Sequence, residues 1–251
     1  MARYMESPEG RRIAYDRLEG EGPGVVFLGG FLSDKEGGKA VALEAWARAG
    51  GRAFVRFDYS GHGQSSGSFA EGALGDWYED ALAVLQALTE GPQILVGSSM
   101  GGWIALLLAR AVPERLAGLV TIAAAPDFTE DGMWGRFSEA ERREIMERGF
   151  LEVPSDYDDK PYPITRRLIE DGRRHLVLRS PLDLPFPVRM LQGTGDAEVP
   201  VPLALRLLDH ATGPDMALTL VKGVDHRFSS PACLELIART IDEIAPLNAS
   251  R

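Results

Sequence analysis

Short apolar runs alternating with longer stretches of helical spacing constrain this chain more than any other feature. A mainly parallel sheet covered by helices is the architecture that absorbs such an alternation. Val25-Val26-Phe27-Leu28 reads as a buried strand running into a turn at Gly29-Gly30, and a helix follows over 40–46. The next strand is expected at 53–57, closing on the turn-rich Asp58-Tyr59-Ser60-Gly61-His62-Gly63, and a helix at 76–88. Ile94-Leu95-Val96 is a third strand, and 103–111 a strongly apolar helix ended by Pro113. Strands at 116–123, 189–192 and 217–221 and a last helix at 232–244 complete the pattern. Residues 11–16 alternate and suit an antiparallel edge strand. The expected fold class is α/β, with six or more mainly parallel strands.

One region breaks the rhythm. Residues 127–187 hold a charged helix at 138–148, two Pro-rich stretches and a second helical stretch at 165–171. We read this region as a cap inserted over the carboxyl edge of the sheet, inside a single domain of 1–251. At 251 residues the chain fits one α/β domain. A chain of that size buries roughly 70–75% of its unfolded surface and needs no staples.

Charge narrows the partners. The formal net charge of -10 repels phosphate backbones, so nucleic acid is not an expected partner. Cys233 is the single cysteine, excludes an intramolecular disulfide and reads as a packed helix residue. Met1-Ala2-Arg3-Tyr4-Met5-Glu6 shows no apolar leader, and no window approaches the ~18 apolar residues of a membrane span. A cytoplasmic address with no stable membrane insertion is the expectation.

Gly97-Ser98-Ser99-Met100-Gly101 matches G-x-S-x-G between a buried strand and an apolar helix. In that setting the pattern makes a turn sharp enough to expose a nucleophile. The small residues let strand and helix approach, and the helix start directs partial positive charge at the reaction centre. Ser99, unlike Ser98, has glycine at both i−2 and i+2 and is the predicted nucleophile.

A serine hydroxyl needs a neutral imidazole to take its proton. Of His62, His175, His210 and His226, only His226 follows the last strand and comes last in chain order. It is the predicted base, with His62 expected to brace a loop and His175 and His210 to serve structure. Asp196, in the Gly-rich loop after the 189–192 strand, is the predicted acid that orients the imidazole. Asp127 is the rival acid, and Glu198 and Asp225 read as supporting loop groups. Backbone donors for a developing oxyanion are expected at Met100 and Phe31, with Gly30 letting the chain come close. No metal-ligand pattern and no cofactor motif accompanies these residues.

Phe27-Leu28-Gly29-Gly30-Phe31-Leu32-Ser33-Asp34 with Lys39-Ala40, Arg56 to Gly63, Val96 to Trp103, and Ile122 to Thr129 together resemble one family. It is the serine hydrolases of the α/β-hydrolase fold, specifically the mitochondrial palmitoyl-protein thioesterases and their bacterial relatives. The resemblance covers the first 130 residues well, continues through 193–200 and 224–226, and is weak in 127–187. It implies cofactor-free hydrolysis of thioesters or esters by Ser99, Asp196 and His226. The expected partner is a small acyl ester or thioester, or an S-acylated protein, and a bacterial cytoplasmic member fits best. Short-chain carboxylesterase, C–C or peracid chemistry on the same residues, and a non-catalytic binding protein of the same fold are the alternatives. Serine at the nucleophile position disfavours dehalogenation.

Two further features invite a binding role. Arg166, Arg167, Arg173, Arg174 and Arg179 form a basic run that reads first as a solvated cap face, with attraction of an anionic substrate the sharper alternative. Phe128 and Trp134 are placed as possible walls of an acyl pocket beneath the cap, while Trp103 reads as core.

Overall fold

The structure is a computed structural model describing residues 3–154 and 161–245. Met1 and Ala2, and residues 155–160 of the proposed cap, lie outside the described residues. Eight strands form the main sheet: β1 (Arg3–Glu6), β2 (Arg12–Leu18), β3 (Glu21–Leu28), β4 (Arg52–Phe57), β5 (Gln93–Ser98), β6 (Leu116–Ile122), β10 (Val188–Gly193) and β12 (Met216–Val221). Their order is β1-β2-β4-β3-β5-β6-β10-β12. Pairing is parallel from β4 to β12 and antiparallel where β2 meets β1 and β4.

The two-residue period of a strand explains how one sheet serves two cores. In β3, Val26 and Leu28 face one cluster while Val25 and Phe27 face the other. The first core is completed by α2 (Leu74–Leu88) and α3 (Met100–Ala111), the second by α1 (Gly38–Gly50) and α7 (Pro231–Ile244). Burial on both faces is why the central strands read as continuous apolar runs. Truncating Leu28, which is fully buried, to Ala would cost about 2–5 kcal/mol. Cys233 is buried on α7, as the sequence suggests.

Between β6 and β10 the chain forms a π-helical turn (Phe128–Trp134), α4 (Glu139–Arg148), the antiparallel pair β7 (Phe150–Val153) and β8 (Tyr162–Thr165), and α5 (Arg166–Gly172). Ser138 caps α4 through the Glu141 amide, and Thr165 caps α5 through Leu168. Two-residue strands β9 (Leu182–Asp183) and β11 (Ala211–Thr212) pair in parallel on either side of α6 (Val201–His210).

One expectation is corrected. Residues 12–16 belong to an antiparallel strand, but β1 lies outside it and is the edge. One of the Pro-rich stretches contributes β8, with Pro163 inside the strand. A two-stranded pair leaves one side of each strand unbonded, so the N–H that proline lacks costs nothing there.

Candidate active site

Four loops bring functional groups to the carboxyl ends of β3, β5, β10 and β12, the place where open α/β sheets present their crevice. Ser99 stands between β5 and α3 with φ 54 and ψ −117, a conformation costing about 1–3 kcal/mol in a residue with a side chain. The surroundings hold it there. Its N–H donates to the Ile122 carbonyl and its own carbonyl accepts from Gly102 and Ala125. A Cβ on Gly101 would lie 2.1 Å from the Leu28 carbonyl oxygen, and one on Gly97 2.4 Å from that of Gly101. Both elbow glycines are therefore demanded by close backbone approach. Among the described residues, the five non-glycine residues with positive φ (Leu32, Ser99, Ala123, Asp127 and Phe228) lie in or beside the loops that build this edge.

The predicted residues meet. His226 Nε2 is 3.0 Å from Ser99 Oγ, and His226 Nδ1 is 2.8 Å from Asp196 Oδ2. An ionised carboxylate only accepts, so Nδ1 carries the proton and Nε2 is left to accept from the serine hydroxyl. Asp196 is 0% exposed as a side chain. Its Oδ1 accepts the N–H groups of Glu198 and Val199, and its Oδ2 also accepts from Gln192 Nε2 at 3.0 Å. Burial pushes this carboxyl up, but the hydrogen bonds from His226, Val199 and Gln192 outweigh it and hold the group below the usual carboxylate range. It is thus charged at neutral pH and able to stabilise an imidazolium. The β10 and β12 loops are pressed together at Gly193, where a Cβ would meet the Val224 carbonyl oxygen at 2.1 Å.

Among the described residues neither the Phe31 nor the Met100 amide donates to an intramolecular acceptor. A Cβ on Gly30 would lie 3.5 Å from Ser99 Cβ, so the loop after β3 runs directly beside Ser99. Met100 opens α3, whose dipole adds partial positive charge at the same point. The Phe31 ring is held edge-on by Phe69 and Trp77 from one side and by Phe128 and Tyr162 from the intervening segment.

The competing residues have other work. Asp127, the rival acid, is 0% exposed as a side chain and accepts the Val177 and Leu178 amides at 2.8 and 3.1 Å, with Arg179 paired to it. It ties the start of the intervening segment to its end and does not reach His226. His62 is buried, with Nδ1 on the Ser60 carbonyl. Burial pushes this imidazole down to about 4. His175 sits 3.6 Å from Asp171, and His210 Nε2 faces the Val177 and Ser180 carbonyls.

The arginine run lies on an exposed face, as its first reading expects, and most of its members are ion-paired there. Arg166 pairs with Glu170, Arg167 with Asp76, Arg173 with Glu130, and Arg179 with Asp127 and Asp131. These charges knit the segment together, and Arg174 alone of the five faces outward with no side-chain partner among the described residues. Trp134 carries two cations on its ring. Its ring lies under the guanidinium groups of Arg173 and Arg142, 4.7 and 5.5 Å from the centroid. Phe128 does reach the site, packed against Phe31 and the buried Trp103.

Among the described residues no group of three acidic, histidine or cysteine side chains is placed to hold a metal ion. No helix there is long and apolar enough to cross a membrane.

The comparisons with known proteins agree with this architecture. Residues 23–147 match the family described as alpha/beta hydrolase fold. The rat protein named palmitoyl-protein thioesterase ABHD10, mitochondrial, is 40% identical over 245 residues, covering 96% of this chain and 81% of that protein. The crystal structure of an Agrobacterium vitis S4 protein superposes with a TM-score of 0.91 at 39% identity, covering 97% of both chains. Mouse alpha/beta hydrolase domain-containing protein 10 gives a TM-score of 0.90 at 38% identity over 97% of this chain and 98% of that one. The chain belongs to the α/β-hydrolase family, with the ABHD10 proteins among its relatives.

Proposed function

We propose that the protein is a serine hydrolase that cleaves acyl thioesters or esters through an acyl-enzyme on Ser99. One observation carries the reading: Ser99 Oγ, His226 and the buried, ionised Asp196 form a continuous hydrogen-bonded relay of 3.0 and 2.8 Å. Homology to ABHD10 proteins named as thioesterases supports the choice of thioesters over other acyl compounds.

In this mechanism His226 Nε2 takes the Ser99 proton as Oγ attacks the acyl carbonyl. The Phe31 and Met100 amides receive the oxyanion, each such donor being worth about 10²–10³ in rate. Asp196 stabilises the imidazolium without itself becoming protonated. The imidazolium then protonates the departing thiol or alcohol. Water, activated by the same nitrogen, releases the acid and restores Ser99.

The segment over 127–187 acts as the cap, and its Phe128 forms the wall of the acyl site nearest the oxyanion loop. Substrates are a small acyl thioester or ester, or an S-acylated protein. The test is turnover of matched S-acyl cysteine peptides and p-nitrophenyl esters of graded chain length by wild type and Ser99→Ala. Ser99-dependent turnover with the thioesters ahead supports the reading. Turnover surviving in Ser99→Ala contradicts it, and Ser99-dependent turnover confined to short oxygen esters overturns the preference for thioesters.

A further inference from the structure

The His226 ring stands between two carboxylates. Asp196 meets Nδ1, and Glu198 Oε2 lies 3.5 Å from Nε2, the nitrogen that also faces Ser99 Oγ. The two acids differ in setting: the Asp196 side chain is 0% exposed, that of Glu198 45%. The loop builds this placement. Asp196 Oδ1 accepts the Glu198 and Val199 amides at 2.9 and 2.8 Å, folding the chain over Asp196 so that the Glu198 carboxylate comes back to the catalytic nitrogen.

The consequence depends on protonation. In the resting ring Nε2 carries a lone pair and offers Glu198 no donor. Once Nε2 takes the Ser99 proton, it presents N–H and positive charge to a carboxylate already within ion-pair distance. Glu198 therefore distinguishes the two states of the ring, and favours the one that accompanies both tetrahedral intermediates.

We propose that Glu198 is a positioning residue of the acyl-transfer reaction, stabilising the His226 imidazolium from the side of the departing group. The inference rests on the Ser99 acyl-enzyme reading above. Other charges lie in the neighbourhood. Asp225 and Arg227 flank His226 in the chain with opposite signs, and Lys39 from α1 donates to the Arg227 carbonyl. All of these persist when Glu198 alone is changed.

Glu198 makes its interaction only with the protonated ring, and so lowers the barrier once the proton has moved. At 3.5 Å and a near-aqueous dielectric, as befits a half-exposed carboxylate, the interaction is worth up to about tenfold in rate. The experiment is the pH profile of kcat/KM for wild type, Glu198→Gln and Glu198→Asp on one neutral thioester and one neutral ester, at low and high salt. In Glu198→Gln the acid limb should move down and the plateau should fall up to about tenfold. Glu198→Asp should restore part of both, and high salt should move the wild-type limb toward that of the Gln variant. A merely structural residue would lower the plateau and leave the limb in place, so an unmoved limb in a folded Glu198→Gln overturns the inference. Ser99-dependent turnover in that same variant leaves the acyl-enzyme reading standing, whereas turnover in Ser99→Ala removes both.

Discussion

Gly101→Ala is the perturbation whose effect can be worked most fully from the geometry. The added Cβ would stand 2.1 Å from the Leu28 carbonyl oxygen and 2.5 Å from that of Gly29, where real Cβ contacts essentially never fall under 3.0 Å. Both atoms are backbone, so relief requires α3 and the end of β3 to separate by about 0.9 Å, judged against that limit. Overpacking of this kind costs about 1–3 kcal/mol. In a domain of this size each kcal/mol lowers Tm by about 2–4 °C. The displacement also carries Gly29, Gly30 and Phe31 away from Ser99. A misplacement near 1 Å can cost about 10² in rate, and losing one oxyanion donor about 10²–10³. The expected outcome is a folded protein with kcat reduced by about 10²–10³ and Tm lowered by only a few degrees. Gly102→Ala is the control, because its Cβ would press on Ala124 at 2.7 Å, away from β3. Thermal melts and steady-state kinetics on both variants give the comparison. Near-wild-type kcat in Gly101→Ala, or an equal loss in Gly102→Ala, would refute the reasoning.

Asp127→Ala leaves the Val177 and Leu178 amides and Arg179 without their buried acceptor, and should cost about 3–5 kcal/mol in urea unfolding. A cost under 1 kcal/mol would mean this carboxylate does not hold the segment. Asp196→Asn should lower kcat by about 10⁴ with little change in fold. An amide cannot accept from both His226 and Gln192 at Oδ2 while also accepting the Glu198 and Val199 amides. His62 predicts a pH effect on stability. Burial depresses its folded-state pKa to about 4 from 6.5, so the unfolded chain binds the extra proton between those values. Stability should then fall as pH drops from 6.5 toward 4, and His62→Phe should remove about 2–3 kcal/mol of the fall between pH 6.5 and 4.5. An unchanged slope in urea titrations of the variant would contradict the assignment.

The central strands were legible because burial on both faces leaves unbroken apolar runs, and such runs have few competing readings. Ser99, Asp196 and His226 were legible for a related reason. Each directly follows a recognisable strand, and a parallel sheet delivers all such loops to one edge. What escaped depends on pairing between residues far apart in sequence. Arg3-Tyr4-Met5-Glu6 is too short and too polar to declare itself a strand until β2 offers it an edge. The strand at Pro163 did not declare itself because sequence does not say that β8 pairs with β7 alone. The ion pairs of the arginine run were hidden because its partners Asp76, Glu130 and Asp127 lie 43 to 91 positions earlier in the chain. The cations on the ring face of Trp134 were not visible in the spacing. Glu198 read as a supporting loop group, and only the turn about Asp196 reveals that its carboxylate returns to His226.

The central claim is that Ser99 carries the acyl group in turnover. The most direct measurement is the mass of the protein during reaction with a slow acyl substrate and after a fluorophosphonate, followed by mapping of the modified peptide. The account predicts one covalent adduct, located on Ser99, formed at the rate of the first step and absent from both Ser99→Ala and His226→Ala. An adduct elsewhere, or turnover by folded wild-type protein with Ser99 unmodified throughout, would contradict it.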